Sequence, residues 1–335
     1  MRTQTKRILI VTNAPERSTK GNRITAERWA EFLRRSGHQT QIGSHPSDFG
    51  GEFDLLIALH ATHSADAIAS FRNTYPQRDV ILCLTGTDIY LDLNGHRGAE
   101  AAKQASESIA RSNRFVVLEP ECLRQLPAET RRKSTVILQS AVPCKAAAPH
   151  NHVDDEKLEI CVIGHLRDEK DPFLAARAAL LLPTESRIQI IHLGAALNDQ
   201  MRRQAEKAMQ SCARYRWIGG QSHAETQSRL AASQAMILSS KTEGAPSVVS
   251  EAIVNGIPIL ATRIPASIGL LGNDYPGLFT VGDAKGLRQL MTRLENESSF
   301  AQSLKDAIDK LAPKFAPEVE RNALNDLIGL GKSNK

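Results

Sequence analysis

Short apolar runs alternate with helix-length amphipathic stretches along the whole chain. In the first half, Ile8–Thr12, Leu55–His60, Val80–Leu84, Phe115–Leu118 and Val136–Leu138 are apolar at successive positions rather than at every second one. That is the pattern of strands buried on both faces of a parallel sheet. Between them lie amphipathic segments at Asn22–Ser36, stopped by Gly37, at Ser64–Tyr75, stopped by Pro76, and at Arg97–Ser112, each of which predicts a helix. Strand, helix, strand in repetition predicts a doubly wound α/β sheet.

The rhythm lapses over Val142–Lys157 (VPCKAAAPHNHVDDEK), which has two prolines and no periodic apolar face and reads as a linker. It then resumes. Leu158–Leu166, Ile188–Leu193, Arg216–Ile218, Met236–Ser239 and Ile257–Thr262 predict strands, and Asp171–Leu182, Asn198–Cys212, Ser222–Ser233 and Ser247–Asn255 predict helices. Asp171 before Pro172 predicts an N-cap ahead of an N1 proline, and Ser222 with Glu225 predicts a capping box. Ala284–Leu294, Ser298–Leu311 and Pro317–Leu330 predict further helices, the last crossing back to the first domain. The expected organisation is a first domain over 1–145, a second over 155–315 and a terminal helix within 316–335. The carboxyl ends of the two sheets are expected to face each other across a cleft, where ligands bind in open α/β folds.

At 335 residues, 41% hydrophobic and 24% charged, the chain has enough apolar material for two cores and is not a disordered polymer. It has no uncharged apolar run long enough to span a bilayer. Forty-two Lys and Arg against 37 Asp and Glu leave +5, spread over the chain, and aromatic residues are 4%. That suits anionic small molecules and lacks the interleaved stacking platform of a nucleic-acid binder. Five cysteines with no C-x-x-C pair indicate a reducing compartment. The N-terminus MRTQTKRILIVT passes directly into a strand without a signal-peptide pattern, so the cytoplasm is expected.

No G-x-G-x-x-G follows the first strand, and the loop there, NAPERSTKGNR, has one glycine, Gly21, with Arg17, Lys20 and Arg23. It is either an anion cradle on the N–H groups opening the helix at Asn22, helped by Lys20 and Arg23, or a solvated surface loop. Walker A, H-E-x-x-H, G-x-S-x-G and Asp-x-Asp patterns are all missing, which disfavours metal-chelating nucleotide chemistry. His60 and His63 in HATH have helix-compatible spacing but no evident third ligand, so His60 is expected as a polar group at the mouth of the cleft.

The strongest constellation lies in the second domain. GHLRDEKDP puts Gly164, Arg167 and Lys170 in the loop after a buried strand, and in KTEGAPSVVSEAIVNG seven residues separate Glu243 from Glu251 around the start of a helix. Arg167 and Lys170 suit a diphosphate, which the turn Gly244–Ser247 reaches from a helix N-terminus. Glu251, one and a half turns in, is placed to accept from ribose hydroxyls, and Glu243 sits near the group being transferred.

That order of residues resembles the retaining glycosyltransferases of the GT-B fold, of the family-four type, whose second domain carries a loop Arg and Lys and two glutamates with seven residues between. The resemblance implies that Arg167 and Lys170 neutralise a nucleoside diphosphate leaving group without a metal or cofactor, that Glu243 contacts the donor sugar and that Glu251 holds the ribose. Gly164, Gly194, Ile218, Gly244, Ala245, Pro246, Ser247 and Val248 complete the implied donor site. More narrowly, GNRITAERWAEFLRRSGH, LIALHATHSADAI, LTGTDIYLDL, VIGHLRDEKDPF, YRWIGG and VVSEAIVNGIPILATRIPASIGLLGNDYPGLFTVGD together look like the selenosugar synthases of selenoneine biosynthesis, with TGTDIY and GLLGNDYPG as the discriminating segments.

Those enzymes join selenophosphate to a sugar from a UDP-sugar, so the resemblance implies a UDP-N-acetylglucosamine or UDP-glucose donor and a selenophosphate acceptor. It also implies functional neighbours, a selenophosphate synthetase and an iron-dependent selenoneine synthase. The acceptor candidates are Lys20, Gly21, Asn22, Arg23, His60, Thr85, Gly86, Thr87 and Asp88, with Asp88 either shaping that pocket or capping the next helix. One departure is visible: where a second glycine and an asparagine are expected after Glu243-Gly244, the chain has Ala245-Pro246-Ser247, and proline removes a backbone donor. The alternatives are a family-four glycosyltransferase with a hydroxyl acceptor, a sugar-nucleotide epimerase, and a nucleotide-sugar sensor without turnover.

Overall fold

The computed structural model describes residues 5–16, 21–144 and 157–329. Most of the predicted linker, with Arg17 and Lys20 of the candidate anion loop, lies outside them. The chain divides into two compact units, Met1–Gln139 with Pro317–Lys335, and Ser140–Ala316.

The first unit is built on six parallel strands, β1 (Arg7–Val11), β2 (Gln39–Gly43), β3 (Leu55–Leu59), β4 (Asp79–Leu84), β5 (Arg114–Val117) and β6 (Ser134–Val136), in the order β2-β1-β3-β4-β5-β6. Ile8–Val11, Leu55–Leu59 and Val80–Leu84 are buried at every position, as strands covered on both faces must be. Strand β2 has no counterpart among the predicted strands, because QTQIG at the sheet edge pairs only with β1 and stays largely uncovered.

The helix Gly21–Arg35 buries Thr25, Ala26, Trp29, Ala30, Phe32 and Leu33, one stripe at helical spacing. It ends at Gly37, whose φ of +89° lets the His38 N–H bond back to the Leu33 carbonyl at 3.0 Å. The terminal helix Pro317–Gly329 belongs to this unit. Its buried Glu320 accepts the Trp29 Nε1–H at 2.7 Å and lies 2.9 Å from Arg28 Nε. At its other end the Lys6 ammonium donates to the Ile328 carbonyl at 2.8 Å and the Arg114 guanidinium to that of Leu327, cations meeting the negative end of the helix dipole.

The second unit repeats the plan with β7 (Leu158–Ile163), β8 (Ile188–Leu193), β9 (Tyr215–Trp217), β10 (Ala235–Leu238), β11 (Ile259–Thr262) and β12 (Leu278–Phe279), parallel throughout in the order β12-β11-β10-β7-β8-β9. Ser222 and Glu225 make the reciprocal capping box at the head of His223–Ala232, and Asn198 caps Asp199–Ser211. Asp171, in contrast, is no N-cap. It closes a 3-10 turn over Asp168–Lys170 in the left-handed conformation, and the next helix starts at Leu174. The tertiary reason is Ser239, whose hydroxyl lies 2.9 and 3.1 Å from the Lys170 and Asp171 carbonyls, while Arg177 grips the Asp171 carboxylate at 2.9 Å.

Each sheet reverses its direction of growth once, between β1 and β3 in the first unit and between β7 and β10 in the second. The loops at the carboxyl ends of those four strands are where open α/β sheets bind ligands. Among the described residues no helix is long and apolar enough to cross a membrane.

Candidate active sites at the switch points of the two sheets

In the second unit the loop after β7 meets the loop after β10. The Lys170 ammonium donates to Glu243 Oε1, the Ser240 hydroxyl donates to the same oxygen at 2.6 Å, and the Lys241 N–H donates to the Glu169 carbonyl at 2.7 Å. Lys170 is 24% and Glu243 12% exposed, so the ion pair is partly withdrawn from water and stronger than a surface pair. Arg167 is 43% exposed, with Glu169 3.7 Å away, which leaves its guanidinium available to an anion from solvent.

This loop rests on two histidines held neutral. His192 places Nε2 3.0 Å from the Gly164 carbonyl, which can only accept, so Nε2 carries the proton and Nδ1 accepts from the Tyr215 hydroxyl at 2.7 Å. Burial pushes the His192 imidazole down to about 4. His165 accepts the Ala195 N–H at Nδ1, and burial, aided by the Arg167 and Lys170 charges, lowers it as well. Gly194 is obligatory here: a Cβ on it would stand 1.9 Å from the Gly164 carbonyl oxygen. Gly164, Lys170, His192, Ser239 and Ser240 line one pocket.

The helix Ser247–Val254 opens beside this pair with Pro246 as its N-cap and no capping side chain. Val249 bonds to the Pro246 carbonyl, and helix geometry leaves the Ser247 and Val248 N–H groups without an intrahelical acceptor. Val248 is buried, so it offers a backbone N–H alone, and Glu251 lies half-buried one turn further in. Gly244 and Ala245 are half-buried in the preceding turn. Gly194 and Ile218 sit at the carboxyl ends of β8 and β9, their N–H groups bonded to the Gly219 and His192 carbonyls.

In the first unit, Gly21, Asn22 and Arg23 open the first helix, with Arg23 Nε 2.6 Å from Glu27 Oε1. His60, directly after β3, is 2% exposed and has a φ of +80°, a left-handed conformation that a bulky residue adopts only under constraint. Its Nε2 lies 3.0 Å from the Thr87 hydroxyl and its ring stacks on His63, centroids 3.8 Å apart. Asp88 is a scaffold residue: its carboxylate accepts the N–H groups of Ala61, Thr85, Gly86 and Ile89. The Thr85 and Gly86 amides are therefore committed, and the loop also carries the Thr85 and Thr87 hydroxyls as donors.

Sequence reasoning missed two carboxylate partners. Asp92, 1% exposed, accepts the Thr62 hydroxyl at 2.6 Å and lies 3.6 Å from Arg97 Nη1 and 3.9 Å from His60 Nε2. Glu119, fully buried and raised by that burial, accepts from the Tyr90 hydroxyl at 2.8 Å. The visible signal was the pair of acids in TGTDIYLDL, which lie one wide π-turn apart, the Leu93 N–H bonding to the Asp88 carbonyl. Among the described residues no group of three or more His, Cys, Asp or Glu side chains is placed to hold a metal ion.

Residues 145–311 match the glycosyl transferases group 1 family. The chain is similar in structure to HepE of Anabaena, solved in complex with UDP and glucose, at 14% identity and a TM-score of 0.76 over 97% of this chain and 100% of that one. Sucrose-phosphate synthase from Thermosynechococcus elongatus aligns at 13% identity and a TM-score of 0.77, covering 97% and 98% of the two chains. A glycosyltransferase from Rickettsia africae aligns at 13% and 0.73, covering 99% and 100%. No curated protein matches the sequence. At such identities the structures establish the fold and the sequence match establishes the family of the second unit. Two Rossmann-like parallel-sheet units in the GT-B fold, the second of them a glycosyl transferases group 1 domain, are what this chain is.

Proposed function

We propose that the protein is a selenosugar synthase, moving a sugar from a UDP-sugar, UDP-N-acetylglucosamine or UDP-glucose, to selenophosphate. Selenium attacks the anomeric carbon, the carbon–selenium bond forms, and the carbon–oxygen bond to the diphosphate breaks, its electron pair leaving with UDP. The observation that carries the donor half is the Lys170–Glu243 pair at the switch point of the second sheet. Arg167, Lys170 and the Ser247 and Val248 N–H groups are the kinds of group that stabilise charge building on a departing diphosphate. Glu243, fixed by Lys170 and Ser240, is on hand for the sugar, and Glu251 for the ribose. HepE, of the same fold and solved with UDP and glucose, supports a UDP-sugar donor.

The acceptor half is supported by TGTDIY and GLLGNDYPG and by Arg23, Thr85 and Thr87 in the first unit. Selenophosphate is nucleophilic without a strong base, so a cationic, hydroxyl-lined pocket is sufficient. In this reading the enzyme works in the cytoplasm without a divalent metal, after a selenophosphate synthetase and before an iron-dependent selenoneine synthase.

The test incubates purified protein with UDP-N-acetylglucosamine or UDP-glucose and selenophosphate, thiophosphate or phosphate, with and without EDTA, and reads products by mass spectrometry. The expected result is a seleno-sugar mass with UDP release, slower with thiophosphate, nearly nil with phosphate and indifferent to EDTA. UDP release that ignores selenophosphate but rises with a sugar or lipid hydroxyl overturns the reading in favour of a hydroxyl-acceptor transferase. An epimerised UDP-sugar, or binding without turnover, overturns it in favour of an epimerase or a sensor.

A further inference from the structure

We propose that Thr87 donates a hydrogen bond to an oxygen of the acceptor anion and that His60 is the positioning residue that turns the Thr87 proton toward it; this rests on the anionic acceptor proposed above. The His63 N–H lies 3.4 Å from His60 Nδ1, so that nitrogen accepts and the proton sits on Nε2. Nε2–H then donates to the Thr87 hydroxyl at 3.0 Å. A hydroxyl has one proton, and an oxygen that accepts from the imidazole must spend that proton elsewhere. Among the described residues no acceptor for it is found, and Thr87 is half-exposed.

Three further observations converge on the same atom. The Thr85 and Gly86 amides are committed to Asp88, and of the Thr85 and Thr87 hydroxyls only the second is held in orientation. His60 keeps its left-handed backbone because the Cys83 carbonyl takes its N–H at 2.9 Å, and strain of that kind collects where geometry is over-determined for a purpose. Asp92 Oδ2, which accepts from the Thr62 hydroxyl, stands 3.9 Å from His60 Nε2, while its other oxygen faces Arg97 Nη1 at 3.6 Å. That charge favours the Nε2–H tautomer. His60 is itself buried and reaches a ligand only through Thr87. An anion gripped by its hard oxygens leaves the soft selenium free to attack.

Calorimetric titration of thiophosphate into the full chain tests the relay without requiring turnover. Thr87→Val is expected to weaken binding about tenfold, the loss of one charge-assisted bond, and Thr87→Ser to keep it. His60→Asn tolerates the left-handed backbone but is too short to reach Thr87, and should weaken binding as much as Thr87→Val. The double variant should be no weaker than Thr87→Val, and His60→Gln, which reaches, should recover most of the loss. Nitrogen-15 NMR should find His60 as the Nε2–H tautomer. An Nδ1–H tautomer, unchanged binding in folded Thr87→Val, losses that multiply in the double variant, or a wild-type chain that binds no tetrahedral anion each overturn the inference. Should the variants follow this pattern while selenophosphate accepts no sugar, the inference stands and the selenosugar reading falls.

Discussion

Lys170 and Glu243, 73 residues apart in the chain, share one carboxylate oxygen with Ser240 and thereby close the loop after β7 onto the loop after β10. The contact holds the ammonium at the switch point of the second sheet, and in the proposed reaction an incoming diphosphate would compete with Glu243 for it.

Lys170→Ala and Arg167→Ala should therefore separate in stability but not in activity. Both should lower turnover about a hundredfold, each removing charge from the leaving group. Lys170→Ala should also cost about 1 kcal/mol, since it strands the Glu243 carboxylate on Ser240 alone. Arg167 is largely exposed, and its removal should change stability by less than about 0.5 kcal/mol. Initial rates of UDP release and urea midpoints check both, and a folded Arg167→Ala with wild-type turnover would reduce that residue to a solvated loop cation.

Gly194→Ala should be among the most damaging single-methyl additions in the second unit. The new Cβ meets the Gly164 carbonyl oxygen at 1.9 Å, backbone against backbone, so the loop carrying Arg167 and Lys170 must move. A loss of about 3 kcal/mol or more is expected, with activity falling further than stability accounts for. Denaturant unfolding reads the first and UDP release the second.

Glu320→Ala should loosen the terminal helix from the first unit. It removes the acceptor of the buried Trp29 indole N–H and leaves the half-buried Arg28 without its carboxylate, a loss of about 2–3 kcal/mol. The chain has two tryptophans, Trp29 and Trp217, so a red-shifted emission that Trp217→Phe does not abolish would report the loosening at Trp29.

Stability should fall with acid through His192. Its folded value of about 4 lies below the ordinary 6.5, so between those values the unfolded chain binds a proton that the folded chain does not. Stability is complete above pH 6.5 and is lost as pH falls toward 4, by about 3 kcal/mol at the limit. Melting temperatures of wild type and His192→Gln between pH 7 and 4.5 check this: the variant should begin less stable and show a shallower slope.

Much of the fold was legible because buried parallel strands must be apolar at successive positions. The β1, β3, β4, β7, β8 and β10 segments and the helices around Trp29, Met201 and Leu230 follow from that constraint alone. The edge strand β2 was not legible, since QTQIG pairs on one side and has no burial to declare it. The types and order of Arg167, Lys170, Glu243 and Glu251 were likewise written in the sequence, because the loops after strands carry chemistry whatever their distance along the chain. Sheet order decided that Lys170 would bond Glu243, through β7 pairing with β10 rather than with its neighbours in sequence alone. Tertiary contacts also decided that Asp171 would turn left-handed under Ser239, that Asp88 would spend its carboxylate on four amides, and that Asp92 would stand behind His60. A polar side chain's partner is a long-range contact, and local pattern carries the residue but not what it will touch.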